Sequence, residues 1–83
     1  MLGGAHMSGY YHITILDCDP KVSDQVQTIC AGLDDTTCEC TSSWNDDQLD
    51  YIEVDLPENK INTFSLTFFN HVARNLYYKM TIE

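Results

Sequence analysis

The chain has 83 residues, enough for one domain with one modest core. Thirteen acidic residues against four basic ones give a formal net charge of −9, which argues against autonomous binding to nucleic-acid phosphates, a task for clustered Lys and Arg. No apolar run approaches the length of a membrane span, and no secretory-signal pattern precedes Tyr10.

The charge is unevenly spread. Residues 1–59 carry twelve acids and one base, Lys21, whereas residues 60–83 carry Lys60, Arg74, Lys79 and a single acid, Glu83. Such a surplus reads as solvated surface, or as a field that attracts a basic partner or mimics nucleic acid. At the opening, Met1-Leu2-Gly3-Gly4-Ala5-His6-Met7 has the small, flexible composition of a vector junction. Residues 1–8 are therefore read as an expression-tag remnant, and 9–83 as a single α+β domain.

Tyr11-His12-Ile13-Thr14-Ile15 alternates apolar and polar residues, the period of a half-buried strand. Asp17-Cys18-Asp19-Pro20 ends it, with Asp19 suited to cap a helix and Pro20 to open one. Val22, Val26, Ile29, Cys30 and Leu33 then form one helical stripe, closed by Gly32 and Asp34-Asp35. Cys38, Cys40 and Trp44 share one face of a second strand, with Thr37, Glu39, Thr41 and Ser43 on the other. Asn45-Asp46-Asp47-Gln48 reads as a hairpin loop. A third strand follows, with Ile52, Val54 and Leu56 inward, stopped at Pro57-Glu58-Asn59.

The segment from Lys60 carries two adjacent helical stripes. Ile61, Phe64, Phe68, Val72 and Leu76 make the first, and Leu66, Phe69, Ala73, Tyr77 and Met80 the second. Together they cover roughly 220° of the helix, where packing on a sheet needs about 100°. One stripe is expected to serve the core, the first for preference because it begins directly after the Pro57 turn. The second, Leu66, Phe69, Ala73, Tyr77 and Met80, is the candidate partner interface. Arg74 and Lys79 suit the C-terminal end of a helix dipole, which favours a helix running to Met80. Tyr78, Met80 and Ile82 also alternate as a short fourth strand would. The expected fold is thus α+β, strand-helix-strand-strand-helix. Its three-stranded antiparallel sheet carries both helices on one face and is open to extension by dimerisation.

Chemistry is sparse. Cys18, Cys30, Cys38 and Cys40 each fall on an apolar phase, so buried reduced thiols are expected rather than disulfides or a metal centre. Cys38-x-Cys40 also lacks the turn spacing of structural zinc sites. His12 and His71, the histidines outside the opening segment, sit on polar phases with no nucleophile near in sequence. Asp46, Asp47 and Asp50 lack the glycine and terminal glutamate of a calcium loop. No catalytic residue, cofactor or metal ligand is expected, and the chain reads as a protein-binding domain rather than an enzyme.

Three stretches carry a family resemblance: Tyr11-His12-Ile13-Thr14-Ile15 before a Pro-led helix ending in Ala31-Gly32-Leu33-Asp34-Asp35, then Leu49 to Leu56, then Ile61-Asn62-Thr63-Phe64-Ser65-Leu66-Thr67-Phe68-Phe69. In order and length they resemble the Pcc family, the small dimerising subunit of the KEOPS complex that makes threonylcarbamoyladenosine in transfer RNA. Thr63 stands where that family usually carries an arginine, and family members are commonly less acidic. The resemblance implies three strands pairing across a dimer, homodimer or heterodimer, and helices docked on a transferase subunit. It also implies no catalytic residue in this chain and a cytoplasmic or nuclear location. Two rival readings stand beside it: an acidic inhibitor or nucleic-acid mimic, and a small metal- or redox-responsive domain built on the cysteines.

Overall fold

The computed structural model describes residues 9–33, 38–72 and 74–83. The opening segment, Asp34-Asp35, Thr37 and Ala73 lie outside these, so the readings placed on them do too. Strand β1 (Tyr10–Leu16) leads to helix α1 (Lys21–Gly32), then strands β2 (Glu39–Asn45) and β3 (Gln48–Pro57). A short 3-10 turn, Glu58–Lys60, opens helix α2 (Ile61–His71), and strand β4 (Lys79–Ile82) closes the series. The strands lie in the order β2-β3-β1-β4, and every neighbouring pair is antiparallel. This is the split βαβ, ferredoxin-like arrangement.

Local chemistry explains the boundaries. After β1, Asp17 adopts a left-handed backbone at φ 45, which short polar side chains tolerate. The Lys21 amide donates to Asp19 Oδ1 at 2.9 Å and the Val22 amide to the Asp19 carbonyl at 2.9 Å, so Asp19 satisfies two amides at the head of α1. Between β2 and β3 the turn tightens to Asp46-Asp47, with Asn45 facing Gln48 and Asp46 left-handed at φ 56.

One core lies between the sheet and both helices. Ile13 and Ile15 of β1, Ile52, Val54 and Leu56 of β3, Val22 and Val26 of α1, and Phe64 and Phe68 of α2 are sealed from solvent. α1 contributes as expected, with Ile29, Cys30 and Leu33 buried behind Val22 and Val26. The first stripe of the closing segment also packs as expected, since Phe64, Phe68 and Val72 are buried. α2 is rich in Thr, Asn and Phe, poor helix formers, so its helix is made by this burial rather than by propensity.

Two expectations need correction. The last helix does not reach Met80; it ends at His71, and the sheet has four strands rather than three. The stripe was misleading because the Leu76 amide donates to the Val72 carbonyl at 3.1 Å, an isolated helical turn beyond the helix. That turn keeps Leu76 packed on the core, where a continuing helix would have placed it. The second correction concerns Trp44. The β2–β3 register shifts between Ser43 and Trp44, and Trp44 is 47% exposed rather than packed with Cys38 and Cys40.

Candidate partner-binding surface

α2 divides its sides by function. Phe64 and Phe68 point into the core and stack on each other, centroids 5.9 Å apart. Thr63, Thr67 and His71, spaced by four, line a groove shared with Ile29 of α1 and Leu33 at its C-terminal cap. Leu66 and Phe69 lie on the remaining side, turned away from α1, at 66% and 51% exposure. Phe69 is not loose, because its ring meets Phe68 edge-on at 6.0 Å.

That side is also the β4 side. α1 packs over β2, at the opposite margin of the sheet, so the flank of α2 that avoids α1 overhangs the β4 margin. Tyr78, just ahead of β4, meets Phe68 in a T-shaped contact at 4.9 Å. Among the described residues β4 pairs only with β1. His12 and Glu83 exchange both backbone hydrogen bonds, at 3.0 and 2.8 Å. Antiparallel alternation then turns the amides and carbonyls of Thr81 toward β1 and those of Met80 and Ile82 toward the outer edge. Met80 is half-buried and Ile82 is exposed.

The five residues expected on one helical stripe are therefore not on one helix. Leu66 and Phe69 are on α2, and Met80 belongs to β4 opposite Ile15. Tyr77 lies in the intervening link, 65% exposed, its carbonyl accepting the Asp19 amide at 3.1 Å. Ala73 is outside the described residues. Lys79, expected to complement the helix dipole, instead lies in β4 with its Nζ 3.4 Å from Asp17 Oδ2. Ile82 was named in the sequence only as part of the strand alternative, and its exposure beside the edge is new.

The sheet face away from the helices has a different chemistry. Glu39 of β2 sits opposite Asp55 of β3, and Asp55 opposite His12 of β1. His12 Nδ1 is 2.6 Å from Asp55 Oδ1 and its Nε2 3.4 Å from Glu53 Oε2. The hydrogen bond to Asp55, reinforced by the charges of Asp55 and Glu53, raises the His12 pKa above that of an ordinary imidazole, against a weaker lowering from partial burial. His12 is thus biased toward its protonated form by two carboxylates, a pairing that the sequence hid because its members lie more than forty positions apart.

The cysteines are reduced thiols, Cys18 and Cys30 buried, Cys38 and Cys40 half-buried. Burial, with Asp19 and Asp17 nearby, pushes the Cys18 thiol up. Among the described residues no grouping of His, Cys, Asp and Glu is arranged to hold a metal ion, and no helix is long and apolar enough to cross a membrane. No family model matches the chain, and no curated protein matches it.

Proposed function

We propose that this chain is a non-catalytic protein-binding subunit that self-associates along its β4 margin and docks on a larger enzyme subunit. The observation that carries the reading is the exposed pair Leu66 and Phe69 on the flank of α2 above that margin. A small acidic domain gains nothing in water from two large apolar side chains there, and a protein surface is where such residues are used. The outward amides and carbonyls of Met80 and Ile82 supply the complementary element, since an open strand edge accepts another strand.

The resemblance to the Pcc family gives this reading its specific form, a dimeric small subunit of a KEOPS-like complex. The fourth strand lies beyond the strand-helix-strand-strand-helix order on which that resemblance rests, so the form stands on the opening and third strands and on Ile61 to Phe69. Affinity capture from the native cell tests it: the transferase and kinase subunits are expected with the wild type and lost with Phe69→Ala. Recovery of a nuclease or polymerase instead would favour an acidic mimic. Glu39, Glu53 and Asp55, gathered on the open sheet face, are the observation on which that second reading rests. It predicts that Glu39→Gln with Asp55→Asn, and not Phe69→Ala, abolishes capture.

A further inference from the structure

Three of the four cysteines converge, and the framework explains why. Ser23 of α1, 1% exposed, and Ser42 of β2 share a hydrogen bond of 2.7 Å that fixes where helix and strand meet. In a split βαβ unit the helix runs against the strand it leads to, so moving forward along α1 means moving backward along β2. Cys30 is seven residues beyond Ser23, about 10 Å along the helix. Cys40 lies about 7 Å back from Ser42 along the strand, and Cys38, just ahead of β2, about 13 Å back at extended spacing. Cys30 therefore falls between them, close enough for Cys40 and Cys38 both to act on its thiol. All three pack in or against the core, with Cys40 on the strand face opposite Val54.

We propose that this cluster is an oxidation site, in which Cys40 reacts with a peroxide and Cys30 resolves the product into a Cys30–Cys40 disulfide. Cys38 and Cys40 are both half-buried and within reach of a small oxidant, whereas Cys30 is 9% exposed. The Cys30 S–H donates to the Cys40 sulfur, which holds the Cys40 thiol below its ordinary pKa and keeps Cys30 protonated. Cys40 sulfur attacks one peroxide oxygen and the O–O bond breaks. Cys40 becomes a sulfenic acid as the peroxide is reduced to water or, from an organic peroxide, to an alcohol. The Cys30 sulfur then attacks the sulfenic sulfur, the S–O bond breaks, and the thiol proton leaves with the hydroxyl as water. Each thiol loses one hydrogen, and one peroxide supplies the two-electron oxidation.

The geometry also selects the pair. Cys38, the residue just ahead of β2, is two positions from Cys40, and an extended chain puts their Cα atoms about 6.8 Å apart, the outer limit for a disulfide. Cys30 lies across the helix–strand interface from Cys40, so a bond between them joins two elements instead of two neighbouring positions in extended chain.

The test treats the reduced, full-length chain with one equivalent of hydrogen peroxide, blocks the remaining thiols and maps the peptides without reduction. A Cys30–Cys40 link within one chain is expected, with Cys18 and Cys38 still alkylatable. In urea the same treatment should scatter the links among all pairs. Cys40→Ser should slow thiol loss to peroxide about tenfold. Cys30→Ser should leave a sulfenic acid on Cys40 that dimedone traps. A link between Cys38 and Cys40, a link through Cys18, exclusively intermolecular links, or unselective oxidation in the folded state would overturn the assignment. The wild-type map decides even where a variant does not fold.

Discussion

His12 pairs with two carboxylates across strands, so its protonation couples mild pH change to the fold. Because its folded pKa is raised, the pairing stabilises the fold fully below the ordinary histidine pKa. That contribution is lost as pH rises through the higher, folded value. The side chains are a third or more exposed, so solvent screening keeps the effect below about 1 kcal/mol. NMR titration of the imidazole should place His12 above an ordinary histidine, and Asp55→Asn should bring it back down. A His12 that titrates normally in the wild type would refute the pairing. The Ser23–Ser42 contact offers a second residue-scale test. Ser42→Ala leaves the buried Ser23 hydroxyl with Gln27 Nε2, 3.4 Å away, as its remaining side-chain partner. A loss of about 1–3 kcal/mol in denaturant unfolding is expected. Unchanged stability would mean that the hydroxyl pair fixes nothing.

Among the elements, α2 separates core from surface within two consecutive residues. Phe68→Ala removes a ring with no exposed area that stacks on Phe64 and meets Tyr78, and should cost about 3–5 kcal/mol of stability. Phe69→Ala should cost about 1 kcal/mol of fold stability, the worth of its edge contact with Phe68. It should weaken self-association by about 2–4 kcal/mol. Thermal melts and sedimentation measure the two quantities separately, and exchanged outcomes would mean that the flank has been misassigned. Much of this was legible in the chain. Helical spacing identified Phe64, Phe68 and Val72, and alternation identified Ile13, Ile15, Ile52, Val54 and Leu56. The end of α2 was not legible, because the turn at Val72–Leu76 preserves the apolar phase while breaking the helix. Nor was Trp44, because a one-residue slip in the β2–β3 ladder changes its surroundings without changing the strand's own alternation. Of the candidate surface, Leu66 and Phe69 could be read from their angular position on α2. The edge beside them could not, since it exists only once β4 has paired with β1.

For the molecule as a whole, the prediction concerns assembly. The β4 margin presents outward backbone groups at Met80 and Ile82 beneath an apolar flank, whereas Glu39 and Thr41 are exposed on β2 at the other margin. Association should therefore be one-sided and stop at a dimer. Ile82→Lys places a charge on that edge at a residue already 40% exposed, so it should abolish dimerisation while leaving the fold intact. Sedimentation equilibrium of the wild type and this variant checks it, and a wild type that stays monomeric at high concentration would refute it. The pairing of His12 with Glu83 has a mechanical consequence as well. The two ends of the described fold leave it side by side, so a pull applied to them peels β4 from β1 one bond pair at a time. Strands pulled lengthwise past each other would instead have to break those bonds together. The domain should accordingly yield at low force, and it could be set into a loop of another protein without stretching its host.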